Sequence, residues 1–290
     1  MSNTNVVVTG VSSGIGYAIA KELVSHDIKV FVSVRNEKDA LRVANDLGAL
    51  FTPLIFDITD EIAVRKAAQQ VKDRLQGQKL SCLINNAGVV VVGSLIETPL
   101  HEFRHQLEVN VIGQILVTQA FVPLLGADKA LKGDPGKIIN ISSVAGKLFR
   151  PFLGPYSISK HGLEAFSDTL RFELMLYGID VIVIGPGMVN TEIWHKNEDQ
   201  VSDEKLQQSV YAKPMIKFRN YIYKAVAKSS VPAKKVGELA YHILINSHPK
   251  TRYTIVPNRF FDWILPNILP KRFVNNKIAK ALGILNDEKN

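Results

Sequence analysis

Short runs of apolar, β-branched residues alternate along the chain with stretches in which apolar positions return every three or four residues. Val6–Thr9, Lys29–Val34, Leu50–Phe56, Cys82–Asn85, Gly136–Ser142, Asp180–Gly185 and Arg252–Val256 read as strands. Several are continuously apolar, as expected of strands covered on both faces. Helical patterns lie between them near 15–26, 38–47, 60–75, 99–126, 156–177 and 234–247. Strand–helix alternation of this kind predicts an α/β fold, a doubly wound parallel sheet of about seven strands with helices on both faces. Residues 1–290 read as one domain. Segment 188–233 is too long for a simple connection and is expected to serve a site. The apolar runs are too short to predict a membrane-spanning helix, and the first strand begins too early for a secretory signal, so a cytoplasmic location is expected.

Composition narrows the classes. Of 290 residues, 46% are hydrophobic and 21% charged, which excludes wholesale disorder. The single cysteine, Cys82, excludes an internal disulfide and a multi-cysteine metal site. The net charge of +8 is unevenly placed. Residues 1–200 carry 19 basic and 21 acidic side chains, and residues 201–290 carry 16 and 6. The body is electrically balanced and the end is basic.

The first strand runs into Thr9-Gly10-Val11-Ser12-Ser13-Gly14-Ile15-Gly16, and a helix follows. Glycines let the backbone turn tightly and approach a ligand. The helix start offers free N–H groups and a positive dipole end to a pyrophosphate. Such a glycine pattern is specific only between a strand and a helix, and here it has that setting. An acidic residue at the end of the second strand would bind a ribose 2′-hydroxyl. This chain has Val34-Arg35-Asn36, and Arg35 suits a 2′-phosphate, with a hydroxyl from Ser12 or Ser13. NADP(H) is therefore expected over NAD(H).

The fifth strand ends in Ser142-Ser143, Tyr156 follows thirteen residues after Ser143, and Lys160 comes four residues later. Spacing of four puts Tyr156 and Lys160 on one helix face. A tyrosine titrates near 10, and a neighbouring ammonium lowers that value, which suits a general acid or base. Tyr17 and Lys21 repeat the spacing but lack a strand-end serine, and they read as helix surface.

With these motifs in order, the chain resembles the short-chain dehydrogenase/reductase family from residue 5 to about 192. The match comprises Thr9–Gly16, Asn85-Asn86-Ala87-Gly88, Asn110-Val111-Ile112-Gly113, Ser143, Tyr156 with Lys160, and Pro186-Gly187-Met188-Val189-Asn190-Thr191. The resemblance implies a Rossmann-type sheet and a redox reaction between a carbonyl and an alcohol. It implies that Tyr156 moves the proton, that Ser143 hydrogen-bonds the reacting oxygen, and that Lys160 tunes Tyr156 and holds the nicotinamide ribose. Asn110 would position a water. Asn86, Ala87 and Gly88 would lie beside the adenosine, with Asp57 near the adenine. Pro186 and Gly187 would line the nicotinamide, and Val189 and Thr191 would meet its carboxamide. Family habit also implies a homo-oligomer built through helices 99–126 and 156–177.

His101-Glu102-Phe103-Arg104-His105 fits a zinc-protease pattern, but it lacks a downstream third ligand, and no metal is expected. Two variable regions are expected to enclose a lipophilic substrate. One is Val144–Pro155, with Leu148, Phe149 and Phe152. The other follows Thr191, with Ile193, Trp194, Tyr211 and Met215. The tail 259–290 mixes Phe260, Phe261, Trp263 and Phe273 with Arg259, Lys271, Arg272, Lys277 and Lys280. It suits a membrane interface, a pocket cap or an oligomer contact. Similar tails occur in family members acting on steroids, retinoids, hydroxybutyrate or acyl-dihydroxyacetone phosphate. Nucleic acid is not expected, because these lysines are scattered among core-like apolar residues. A non-catalytic NADP(H)-binding sensor or scaffold is the competing reading, and the full Asn110, Ser143, Tyr156 and Lys160 set argues against it.

Overall fold

The computed structural model describes residues 4–191, 202 and 206–285. Seven parallel strands form one sheet in the order β3-β2-β1-β4-β5-β6-β7. They are β1 (Asn5–Val8), β2 (Lys29–Val34), β3 (Phe51–Ile55), β4 (Cys82–Asn85), β5 (Lys137–Ile141), β6 (Asp180–Pro186) and β7 (Arg252–Ile255). The order reverses between β1 and β4. In open α/β sheets, ligands bind at that crevice, outside the carboxyl ends of the strands. Pro53 is tolerated in β3 because that strand lies at the sheet edge.

Alternate residues of each strand feed two cores. Val6, Val8, Val30, Val32, Ile84, Ile139 and Ile182 face α1 (Gly14–Ser25), α2 (Glu37–Leu47) and α8 (Ala233–Ile245). Val7, Phe31, Leu83, Ile138 and Val181 face the other way. They meet α3 (Glu61–Leu75), α5 (Gly113–Val122) and the end of α6 (Gly154–Leu174). The architecture is the expected Rossmann-like one, with helices on both faces.

One long helix differs from expectation. α4 (Leu100–Leu107) passes through a π-turn at Glu108–Ile112 into α5. The continuous helix Leu100–Ala127 is long and apolar enough to cross a membrane by length and composition, although no such helix was expected. Its apolar window is more than half buried inside the fold, which accounts for the composition.

A third apolar cluster gathers segments that follow β4, β5 and β6. It joins Val90, Phe152 and Leu153 to Met215, Phe218 and Ile222 of α7 (Ala212–Ser229) and to Leu282. The tail folds as a helical turn at Phe260–Ile264, then α9 (Leu265–Ile268) and α10 (Lys271–Leu282). Pro266 lies within the continuous helical run 259–268, just after the turn at Phe260–Ile264, and Pro270 caps α10, a position where proline costs no helical hydrogen bond. Ile278 and Leu282 dock α10 on the third cluster, so this part of the tail packs on the substrate-side segment.

Candidate active site

A cleft of about 300 Å³ opens at the carboxyl ends of the strands, where the strand order reverses. Gly10, Ser12, Ser13, Gly14 and Ile15 line one wall. Gly10 and Gly14 adopt φ of +70° and +65°, which other residues rarely do. A Cβ on Gly10 would stand 2.7 Å from the Ala87 Cα. The loop is thus a bare-backbone cradle ending on the N-terminus of α1, the shape that a pyrophosphate needs.

Hydrogen bonds fix that loop from below. The Gly10 N–H donates to Ser33 Oγ at 2.9 Å. Asn86 Nδ2 donates to the carbonyls of Thr9 and Gly10 at 2.9 and 3.0 Å. Thr9 Oγ1 accepts the N–H groups of Asn86 and Ala87 at 2.9 and 3.1 Å. Asn86, Ala87 and Gly88 line the cleft as expected, while the Asn86 side chain is spent bracing the glycine turn.

Arg35 lies exposed at the cleft edge beyond β2. Asp57 also lines the cleft, and its Oδ1 accepts from the Thr59 N–H and hydroxyl at 2.9 and 2.7 Å. It is a turn carboxylate and a wall residue at once. Beyond β6, Pro186, Gly187, Val189 and Thr191 complete the wall.

At the other end stand Ser143, Tyr156 and Lys160. Ser143 lies two residues beyond β5 and caps the short turn Val144–Gly146, its Oγ accepting the Ala145 N–H at 3.1 Å. Tyr156 and Lys160 share one face of α6, with Lys160 Nζ 5.7 Å from the tyrosine ring centre. Lys160 Nζ donates to the Ile141 carbonyl at 2.9 Å. Burial lowers the lysine to about 8, opposed by the charge of Glu164. Burial raises Tyr156 above its ordinary value, opposed by a hydrogen bond from Ser143. The direction is the reverse of that expected from the neighbouring ammonium, because loss of water around the phenolate outweighs other influences.

Two expected residues stand behind the wall. Gly16 seats the first turn of α1, and a Cβ there would stand 2.4 Å from both Asn86 Nδ2 and the Gly10 carbonyl oxygen. Asn110 is buried within the π-turn. Its amide donates to the Val89 carbonyl at 2.9 Å and to Ser159 Oγ at 3.1 Å. Its oxygen accepts the Val89 N–H at 2.8 Å. Both amide hydrogens are therefore committed to bracing the Val89 segment against α6, so the expected water contact of Asn110 would fall to its main chain.

Several wall residues were not anticipated. Ser33, Phe56, Ile141 and Ser142 lie at strand ends, and the strand-end rule would have found them. His105 and Val109 arrive from α4 and the π-turn, which only the tertiary structure shows. His105 thus borders the cleft. Among the described residues no three His, Cys, Asp or Glu side chains gather where a metal would be held. A buried amide ladder supports the floor. Asn85 Nδ2 donates to Thr118 Oγ1 and to Asn140 Oδ1, both at 2.9 Å, and Asn140 Nδ2 donates to Ser167 Oγ at 2.8 Å. It ties β4, β5, α5 and α6 together beneath the site.

On the substrate side, Tyr156, Met188 and Tyr211 pack on the third apolar cluster, which contains Phe152 and Met215. Phe149 is exposed, and Leu148 is buried. Ile193 and Trp194 lie outside the described residues.

Residues 4–202 match the family model described as short chain dehydrogenase. An NADPH-dependent 3-dehydrocapnine reductase of Ornithobacterium rhinotracheale is 38% identical over 97% of this chain and 98% of its own. Retinol dehydrogenase 16 of Mus musculus is 31% identical over 86% of this chain and 79% of its own. A short-chain dehydrogenase/reductase structure from Burkholderia phymatum, in complex with NAD, superposes with a TM-score of 0.77. It is 22% identical and covers 95% of both chains, a likeness of fold. With the family model, relatives of this length and the cleft agreeing, the chain belongs to the short-chain dehydrogenase/reductase family of oxidoreductases, acting between carbonyl and hydroxyl groups.

Proposed function

We propose that this chain is an NADP(H)-dependent reductase, or in reverse a dehydrogenase, for a carbonyl on a lipophilic substrate. The observation that carries this reading is the single cleft lined at one end by the glycine cradle and Arg35 and at the other by Ser143, Tyr156 and Lys160. The cradle fits a pyrophosphate, and the cation fits a 2′-phosphate. The 38% identical relative is named for NADPH, while the fold neighbour was solved with NAD, so Arg35 is the residue on which the preference rests.

The cofactor supplies the hydride when bound. The chain's own residues manage the proton and the oxygen. Ser143 Oγ hydrogen-bonds the substrate oxygen and holds it against the Tyr156 hydroxyl. Tyr156, kept protonated by burial, donates its proton to that oxygen as negative charge develops. The Lys160 ammonium, one turn along α6, stabilises the phenolate left behind and is placed to hold the ribose. Asn110 keeps the Val89 segment and α6 in register.

We read residues 1–290 as one catalytic domain in which 188–233 and 259–290 enclose the substrate. The apolar cluster beside Tyr156 supports a lipophilic substrate. 3-Dehydrocapnine, the compound in the relative's name, is the first substrate to assay, followed by lipophilic ketones and aldehydes. Tyr156→Phe should abolish NADPH oxidation and leave cofactor affinity within about twofold, since cofactor binding resides in the cradle. Turnover persisting in that variant would show that the acid lies elsewhere.

Phe260, Phe261, Ile268 and Phe273 are exposed on the tail among Arg259, Lys271, Arg272 and Lys277. This mixture supports contact with an anionic membrane surface. Flotation with anionic liposomes, with and without residues 259–290, tests it, and equal recovery removes the membrane contact. Exposed Ile112, Ile158, Phe172 and Leu176 on the two long helices support a homo-oligomer, which light scattering would measure.

A further inference from the structure

Glu164 lies one helical turn after Lys160 on α6, and its carboxylate is buried. Arg252, the first residue of β7, reaches it through three hydrogen bonds, Nε to Oε2 and Nη2 to Oε1 at 3.0 Å and Nε to Oε1 at 3.3 Å. The same guanidinium donates to the Ser143 carbonyl at 3.4 Å and to the Thr254 hydroxyl. Its face is covered by the Trp263 indole, 4.5 Å from the ring centre. Two glycines make room for the pair. A Cβ on Gly185 would stand 2.4 Å from Arg252 Nη2, and one on Gly146 would stand 2.8 Å from Glu164 Cγ.

A buried ion pair is poor evidence of stability, since desolvation offsets much of the attraction. Its placement is informative here. Without Arg252, Glu164 would be a poorly opposed anion one turn from Lys160 and would draw the ammonium toward itself. The observed Lys160 Nζ lies instead on the Ile141 carbonyl, on the Tyr156 side.

We propose that Arg252, covered by Trp263, is a positioning residue for the reaction: it neutralises Glu164 so that Lys160 stays beside Tyr156, and it holds the backbone of Ser143. The proposal rests on the reading that Ser143, Tyr156 and Lys160 carry the reaction. It gives the tail a role in the reaction centre, because Trp263 belongs to the tail.

Among the titratable groups near Lys160, Tyr156, His161 and Glu164 lie on its own helix, and His105 borders the same cleft from α4. Arg252 approaches from β7, and Lys147, from the turn after β5, stands 3.6 Å from Glu164 and 4.0 Å from Asp168. Arg252→Met would leave Glu164 opposed mainly by the half-exposed Lys147. Lys160 would then hold its proton more tightly, and the alkaline limb of the kcat profile should move to higher pH. Glu164→Gln should move that limb to lower pH, because the anion that supports the ammonium is gone.

The experiment measures kcat, KM and their pH profiles for the full-length chain with NADPH and a carbonyl compound that the wild type reduces. Arg252→Met should lower kcat on the order of 10–100-fold, with KM for NADPH much less affected. Arg252→Lys should recover part of kcat and return the limb toward its wild-type position. Trp263→Ala should shift the limb in the same direction as Arg252→Met, by less, and Trp263→Phe should restore it. Opposite shifts for Arg252→Met and Glu164→Gln support the proposal. Profiles superimposable on wild type, with only the melting temperature lowered, would overturn it and leave the pair a structural one. If Arg252→Met does not fold, Trp263→Ala decides in its place: a limb moved to higher pH supports the proposal, and an unmoved limb overturns it. Failure of the underlying reading looks different: turnover would then survive in Tyr156→Phe, whatever the Arg252 variants did.

Discussion

Arg35 stands at the end of β2, where a carboxylate would bind a ribose hydroxyl, and it is exposed at the cleft edge. An exposed arginine on a phosphate is screened by water. Its loss should therefore cost about 1.4 kcal/mol, or roughly tenfold in NADPH affinity, near the low end for charge-assisted hydrogen bonds. NADH, which lacks the 2′-phosphate, should lose less than about twofold. Fluorescence titration of Arg35→Ala with both cofactors checks this, and equal losses would show that Arg35 is not the selector. Arg42 was not legible as a neighbour of the site. Its guanidinium reaches the Ser12 carbonyl and pairs with Asp39 at 3.0 Å, a contact that depends on how α2 packs beside the loop. Lys160 was legible from its spacing, but its environment was not. Its folded value of about 8 lies below the unfolded value near 10.4, so the unfolded chain binds more protons between them. The cofactor-free protein should gain stability as pH rises from about 8 toward 10, and lose that contribution as pH falls through 8. The full span corresponds to about 3 kcal/mol. Cys82 and Tyr156, both raised by burial, contribute stability below their unfolded values and oppose part of this rise, Cys82 above about pH 9 and Tyr156 above about pH 10. Urea unfolding at pH 7.5 and 9.5 should show the gain in wild type and a flatter slope in Lys160→Met.

Elements were more legible than contacts. The strand patterns located all seven strands to within a residue or two, because burial on both faces leaves near-continuous apolar runs. The π-turn at Glu108–Ile112 was not legible, because one extra residue in a helix leaves no compositional trace. It nonetheless lies at Asn110, which braces two elements of the site. In the tail, Pro270 separates the helical run 259–268 from α10, while Pro266 does not interrupt its helix. That α10 docks on the third apolar cluster follows from tertiary packing, since its own pattern also suits a membrane or a partner. Helix α1 offers a test of element against site. Gly16 allows its first turn to pass beneath the Gly10 carbonyl and the Asn86 amide. Alanine there must push one of them away, at about 1–3 kcal/mol for an overpacked position. Gly16→Ala should therefore lower the melting temperature and weaken NADPH by at least about tenfold through the displaced cradle. A lower melting temperature with unchanged affinity would show that the cradle does not depend on the seating of α1.

At the scale of the whole molecule, the uneven charge of the sequence becomes a division of surfaces. The balanced first 200 residues form most of the sheet and the cofactor cleft, and the basic last 90 supply α7 and the tail over the substrate side. The two segments meet at Arg252, which joins the sheet edge, the Ser143 backbone and the tail. The lone cysteine reports on the integrity of this assembly. Cys82 lies in β4, paired with Val6 of β1 on one side and Lys137 of β5 on the other. It is fully buried, and burial pushes its thiol up to about 12, with Lys137 opposing. A thiolate reagent reaches it only when the middle of the sheet opens. That opening also dismantles the cleft, because Thr9, Asn86 and Ser143 follow the same three strands. Any ligand that binds only the closed form should then slow labelling by mass action. NADPH at 100 times its dissociation constant stabilises the closed state by about 2.7 kcal/mol, so labelling should slow about 100-fold. An aromatic disulfide reagent, followed by absorbance with and without NADPH, gives the measurement. A rate unchanged by saturating cofactor would mean that β4 opens locally at its Cys82 end while the cleft stays intact, and the sheet would then not be one cooperative unit.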